Sequence, residues 1–349
     1  MNTPKSSHRV EPGKPRLLDQ VRETIRVKHY SPKTEDAYIG WIRRFIIFQG
    51  KRHPTEMGAE QVAQFLSHLA LDRNVAASTQ NQAFNALIFL YQQVLHIDLG
   101  EIAGTVRAKK PKRLPVVLTR EEVDSILTLL EGDVWLVCSL LYGAGLRLFE
   151  ALQLRVKDID FSRSELLLRD GKGQKDRVTM LPVKVQVPLR EHLEMVRRQH
   201  RWDLDCGLGR APLPAALARK YPNADREWGW QWVFPAATHY TDRQTGVQHR
   251  FHLHETVVQK AVREAARKAD IRKHATPHVF RHSFATHLLQ DNYDIRTVQE
   301  LLDHKDVSTT MIYTHVLNRG GRGVRSPWIG HERAGRPMPG TLWSLPVHN

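Results

Sequence analysis

Over residues 101–116 the chain reads EIAGTVRAKKPKRLPV, and there the apolar periodicity of the preceding hundred residues stops. The run is basic, contains Pro111 and Pro115, and holds too few apolar side chains to bury a face, so one continuous core is not expected to pass through it. The expectation is two bodies joined by a basic linker over 101–116, and 349 residues are enough for two cores. An ordinary solvated loop is the alternative. A tethered pair of domains with a basic connector would suit a protein that encircles a duplex.

Before the linker, apolar residues recur at the spacing of helices with one buried face. Leu18, Val21 and Ile25 mark a short first helix. Ser31 and Pro32 read as cap and first turn ahead of Tyr38, Trp41, Ile42 and Phe45. Val62, Phe65, Leu66 and Leu69 share a face over 61–71, and Phe84, Leu87, Ile88, Tyr91 and Leu95 share one over 78–96. These stripes predict a small helical bundle over 17–100, after a polar, flexible tail over 1–16.

Beyond the linker, Thr119 and Glu122 form a capping box ahead of Val123, Ile126, Leu127 and Leu130. The apolar run 134–142 continues the core. Residues 165–169 and 177–181 flank GKGQK as a β-hairpin, and helices are expected near 186–201, 254–269, 277–290, 295–302 and 308–317. The fold class predicted is mainly α: an N-terminal helical bundle, then a mixed, mostly helical domain with a small antiparallel β-sheet. From Asn318 onward Gly, Pro and Arg dominate, and residues 329–349 are expected to form a mobile or partner-docked tail.

The formal charge is +15, spread along the whole chain, which implies a polyanionic partner, nucleic acid before anionic membrane. The N-terminus is polar and no long apolar run follows, so no membrane partner is expected. With only Cys138 and Cys206 present, a disulfide framework or cysteine zinc site is not expected, and a reducing, cytoplasmic setting fits.

Thr276 and Pro277 open a helix that carries His278 and Arg281 on one side of its first turns, an arrangement able to hold phosphate oxygens. His304 and Tyr313 lie nine residues apart across a helix start at Ser308. Arg147 follows a Gly143–Ala144–Gly145 turn and precedes Glu150, while Lys172 sits at the hairpin tip. Each of these, taken singly, also fits an ordinary structural role: a surface charge, a turn lysine, a half-buried aromatic. The 19 histidines include His274, His278 and His282 at intervals of four, but Pro277 interrupts that run and no HExxH motif exists, so neither a metal nor any other cofactor is expected.

The strings LLYGAGLRLFEALQLRVKDIDF, GKGQKDR, TPHVFRHSFATHLL and DIRTVQELLDHKDVSTTMIYTHVL resemble the four signature regions of the tyrosine recombinases, in that family's order and spacing. Within the family the chain resembles the integron integrases, over residues 17–328. The resemblance implies a core-binding, SAM-like DNA-binding domain over 17–100 and a catalytic domain over 117–328 with an integron-type insertion at about 203–250. It implies that Arg147, Lys172, His278, Arg281 and His304 serve a nucleophilic Tyr313, with Glu150 as an accessory acid. Two arginines would stabilise phosphorane charge without a metal, Lys172 would protonate the leaving 5′-oxygen, the histidines would hydrogen-bond the phosphate, and the cationic pocket would ease deprotonation of Tyr313.

In one place the pattern departs: the family usually has glycine before the second histidine, and here it is Asp303. Either the helix end tolerates Asp, or its carboxylate competes for Arg281 or reorients His304. The insertion carries the cluster ALARKYPNADREWGWQWVF, in which Trp228, Trp230 and Trp232 alternate as on a strand face beside Arg219, Lys220 and Tyr221. Such aromatics suit stacking on unpaired bases, and packing is the rival role. By resemblance the partners are duplex attI-type and folded single-stranded attC-type DNA, met by a homotetramer in a bacterial, nucleoid-associated setting. A type IB topoisomerase, a helix-turn-helix regulator and a phage-type or chromosome-resolving recombinase acting on duplex sites are the alternatives.

Duplex binding is expected to weaken with salt, log K falling by about 0.9 per unit of log salt for each phosphate neutralised. Replacing Lys109, Lys110, Lys112 and Arg113 together by Gln should make that slope shallower. An unchanged affinity and slope would leave the linker as a plain spacer.

Overall fold

Four helices carry the N-terminal apolar stripes in the computed structural model, which describes residues 16–108, 115–169, 176–242 and 245–314. They are α1 (Leu17–Val27), α2 (Pro32–Phe48), α3 (Ala59–Leu71) and α4 (Ala77–Phe89), the last continued by a π-helical turn over Leu90–Val94. Ser31 Oγ accepts from Thr34 N at 3.2 Å, so the cap forms as its residue type requires. Ile42, Phe45, Phe65, Leu66, Leu87 and Tyr91 form the bundle core. On α4 and its π-helical continuation the buried stripe runs through Ala83, Ala86, Leu87 and Leu90, and the expected Phe84 and Ile88 are only half buried. The small alanines let α2 and α3 approach, where the spacing predicted larger apolar side chains.

The chain divides into two compact units, Met1–Arg113 and Leu114–Asn349. The first half of the expected linker is docked rather than free. Ser67 Oγ accepts from Val106 N, and buried Gln80 both donates to Val106 O and accepts from Ala108 N. Ile102 packs on the bundle core. Lys109, Lys110, Lys112, Arg113 and Lys172 lie outside the described residues, as do residues 1–15 and 315–349.

The second unit begins with α5 (Arg120–Thr128), where Thr119 and Glu122 form the capping box through bonds of 3.2 and 2.7 Å. Next, α6 (Gly132–Gly143) is apolar on every side and buried throughout its middle, as suits a helix enclosed by its neighbours. After α7 (Leu148–Leu152) come β1 (Ile159–Asp160), β2 (Glu165–Leu168) and β3 (Arg177–Met180), an antiparallel sheet in that order with Leu168 opposite Arg177. The long α8 (Val183–Asp205) leads into the insertion: α9 (Ala215–Lys220) and the hairpin β4 (Pro235–Thr241) and β5 (Gln248–His252). The chain then returns through α10 (Glu255–Lys268), α11 (Pro277–Gln290), α12 (Ile295–Leu302) and α13 (Val307–Met311).

The expected strand face of tryptophans does not form. Trp228–Trp230 make one turn of 3-10 helix, and Trp232 joins a single bridge to Arg155. Strand alternation needs a partner ladder, and the segment packs instead against Arg155, Lys157 and α8.

At the α6–α7 corner, Gly145 has φ +66°, and an added Cβ would lie 2.5 Å from Phe284 and 3.3 Å from Leu302. A side chain is excluded both by backbone conformation and by neighbours. Gly145→Ala is therefore expected to destabilise the second unit by about 2–4 kcal/mol, combining left-handed strain and overpacking. A denaturant midpoint indistinguishable from the parent would contradict that account.

Candidate active site

Arg281 lies on α11, a helix whose buried face sits against α6, and its side chain is 2% exposed. Its guanidinium donates to Gly145 O at the α6–α7 corner and to Leu302 O at the end of α12, which ties three segments together. Five N–H donors allow these bonds while others remain for an anion. Arg147 is the N-cap of α7; its N–H donates to Glu150 Oε2 at 2.7 Å and its guanidinium to Glu150 Oε1. Arg147 Nη2 also reaches Leu302 O and Asp303 O, each at 3.3 Å.

A third arginine joins them. Arg177, at the start of β3, donates to Glu150 Oε2 at 2.8 Å and to Leu301 O. Glu150 Oε2 lies 3.8 Å from Arg281 Nη1. Burial alone would raise the Glu150 carboxyl, but Arg177, the Arg147 N–H, Arg147 and Arg281 outweigh it and hold the group below the usual carboxylate range. Glu150 is thus an ionised clamp among three cations, and not a group that gives up a proton.

Leu302 ends α12, and Asp303 follows it at φ 49°, ψ 51°, a left-handed cap. This reversal lets His304 N donate to Gln299 O at 3.1 Å and turns the imidazole toward α13, where Nδ1 bonds Thr310 Oγ1 at 2.9 Å. Asp306 caps α13, which starts one residue earlier than expected, at Val307. Tyr313 closes that segment and is 2% exposed, within an apolar cluster of Phe284, Ala285, Leu289, Val298 and Leu302. The His304 and Tyr313 rings stack at 6.2 Å and 19°. Tyr313 Oη bonds His282 Nδ1 at 2.9 Å, and the His282 ring meets His278 edge-on at 4.4 Å.

Sequence reasoning placed Arg147, Glu150, His278, Arg281, His304 and Tyr313 in one site, and the fold brings all six together. It did not assign Arg177, His282 or Thr310. Arg177 and His282 stand inside the quoted strings GKGQKDR and TPHVFRHSFATHLL, next to residues already singled out; Thr310 carries no signal beyond its place between His304 and Tyr313.

Two electrostatic expectations need correction. The cationic pocket does not lower the Tyr313 hydroxyl: burial raises its pKa, and Arg281 and Arg147 only partly offset this. Asp303 does not reach Arg281; its Oδ2 lies 3.6 Å from Arg147 Nη1. Both histidines of the expected set are held neutral. Burial, with Arg281 and Arg147, lowers His278 and takes His304 down to about 4, despite Asp303. A neutral imidazole offers a phosphate one N–H donor without adding charge.

The insertion aromatics divide by environment. Trp228 packs against the main core near His200, with Arg197 over its ring. Trp232 is buried, donates to Arg250 O at 3.2 Å, and carries Arg155 3.0 Å above its ring. Trp230 is half buried with Lys157 Nζ 2.7 Å over one face. Trp230 and Trp232 line a cavity of about 490 Å³ whose wall includes Arg147, Glu150, Leu213, Leu217 and Phe251. Arg219 and Lys220 are exposed at the end of α9.

The description of the phage integrase family matches residues 116–319, and that of a phage integrase N-terminal SAM-like domain matches residues 17–101. The chain belongs to the phage integrase family of tyrosine recombinases, which makes it a site-specific DNA recombinase. It is similar to an integrase/recombinase of Escherichia coli, 52% identical over 312 residues that cover 89% of this chain and 93% of the relative. It is also similar to the tyrosine recombinase XerA of Thermococcus onnurineus, 30% identical over 86% of this chain and 90% of that protein. In fold it is similar to the XerH site-specific recombinase bound to difH substrate, with a TM-score of 0.56 at 22% identity over 86% of this chain and 82% of that one.

Asp303→Gly should test the unusual residue. Glycine adopts the left-handed backbone without a Cβ penalty, so stability should rise by up to about 1 kcal/mol. Removing a carboxylate from the partly exposed Arg147 should speed cleavage by up to about fivefold, the span of a weak ion pair. Single-turnover cleavage slower than that of the parent would show that Asp303 assists the site.

Proposed function

We propose that this recombinase cuts and rejoins DNA through a covalent link between a 3′-phosphate and Tyr313, and that it is an integron integrase. The observation that supports the first part is the meeting of residues from distant segments: Arg147 and Arg281 lie close enough to His278 and His304 to lower their proton affinity, and His304 and His282 lie against the Tyr313 ring. Arg147 and Arg281 would hold the non-bridging oxygens, and their charge would compensate the phosphorane without a metal. His278 and His304 would each donate one N–H. Lys172, by family resemblance, would protonate the 5′-oxygen. The phosphotyrosyl link conserves the phosphodiester energy, so rejoining needs no ATP.

The integron reading names duplex attI-type and folded single-stranded attC-type sites as partners, joined by four protomers, for insertion and excision of gene cassettes. It rests on sequence resemblance and on the cavity between Arg147 and the insertion. An unstacked base could enter that cavity and stack against Trp230, while Trp228 and Trp232 behave as packing residues. Among the described residues no helix is long and apolar enough to cross a membrane. The rival reading, a phage-type or chromosome-resolving recombinase on duplex sites, is favoured by the likeness to XerA.

Tyr313→Phe should abolish the adduct on a suicide substrate, in the presence of EDTA, while leaving DNA binding nearly unchanged; a persisting adduct would remove Tyr313 as nucleophile. Trp230→Ala should weaken binding of a folded attC strand by about ten- to a hundredfold and spare the same hairpin with its extrahelical base deleted. Equal weakening of both hairpins and of duplex DNA would favour the duplex-site reading.

A further inference from the structure

We infer that His282 is a catalytic residue of the strand-transfer reaction, the group that accepts the Tyr313 hydroxyl proton as the nucleophile attacks and returns it when the strands rejoin. The inference deepens the reading above and rests on Tyr313 being the nucleophile. Its basis is contact: His282 Nδ1 lies 2.9 Å from Tyr313 Oη, within the reach required of a general base. The other imidazole against that ring is otherwise engaged, since His304 Nδ1 bonds Thr310 Oγ1. His278 touches His282 and not the tyrosine ring, so it stands one step further away.

Direction follows from the surroundings. Tyr313 is buried and keeps its proton, and a buried hydroxyl without an acceptor would carry a desolvation cost. His282 is held neutral, down to about 4, by burial and then by His278, Arg281 and His304. A neutral ring whose Nδ1 accepts carries its proton on Nε2. A bound phosphodiester would offset Arg281 and Arg147, raising the basicity of His282 when substrate arrives.

Tyr313 Oη forms a bond to phosphorus, its proton passes to His282 Nδ1, and the bond from phosphorus to the 5′-oxygen breaks. That oxygen takes a proton from the general acid, assigned by resemblance to Lys172. On rejoining, the 5′-hydroxyl attacks, its proton returns to the acid, and the departing Tyr313 oxygen recovers its own from the His282 imidazolium.

The test measures single-turnover adduct formation by the full chain, its His282→Ala, His282→Asn and Tyr313→Phe variants, on a suicide substrate with an ordinary scissile phosphate and on one with a 5′-bridging sulfur. Sulfur leaves without protonation, so it relieves defects in the general acid alone. His282→Ala should slow adduct formation by about 10²- to 10⁴-fold on both substrates. His282→Asn, whose Oδ1 can stand in for Nδ1 as an acceptor but cannot retain a proton, should keep the parent melting temperature and remain slow. Recovery of the parent rate by His282→Asn would reduce His282 to a positioning role, and recovery of either variant on the sulfur substrate would move its action to the leaving group. Either result overturns the inference, as does a His282→Asn rate within about threefold of the parent on the ordinary substrate. Tyr313→Phe separates the two levels: an adduct persisting there would overturn the nucleophile itself.

Discussion

The carboxylate of Glu150 is the interaction on which the rest of the site depends. Burial, and then Arg147 and Arg177, lower the proton affinity of Arg281, burial and then Arg147 lower that of Arg177, and Glu150 contacts or faces all three arginines. Three guanidiniums gathered without that anion would repel in a medium that screens poorly. With it, three cations and one anion leave a net positive charge. Backbone carbonyls complete the compensation: Gly145, Leu301, Leu302 and Asp303 turn their oxygens toward these arginines.

That arrangement couples charge to backbone geometry. Leu302 O accepts from both Arg147 and Arg281 because α12 ends there in a left-handed residue, and Gly145 O reaches Arg281 because the α6–α7 corner needs no side chain. The electrostatic centre and the two sharpest turns around it are therefore one construction. Tyr313 sits against the same elements but on their apolar side, where burial protects its proton and leaves His282 as its hydrogen-bonding neighbour.

Much of this was legible in the chain. Helix caps at Ser31 and Thr119, the first-turn Pro277 and the apolar stripes follow from local chemistry, so the helices begin close to where those residues predict. The site residues were legible mainly through resemblance, since an arginine or a tyrosine taken singly has no property that marks it as catalytic. Arg177 and His282 were written inside the same strings, yet their part depends on which neighbours they meet: Glu150 from α7 for one, Tyr313 from beyond α13 for the other. The tryptophan alternation misled because period two implies a strand only where another strand pairs with it, and here Arg155 and Lys157 lie over the rings instead.

The sequence by itself determined the helical class, the break between two bodies, the positive charge and the set of chemical groups on offer, because these depend on residue types and short spacings. The tertiary structure decided which groups act on one another. It placed Asp303 against Arg147 rather than Arg281, raised the Tyr313 hydroxyl where a cationic pocket had promised to lower it, and separated a packing Trp232 from a cavity-lining Trp230 held under Lys157. Burial and cross-chain distance set those outcomes, and neither is a property of any short segment.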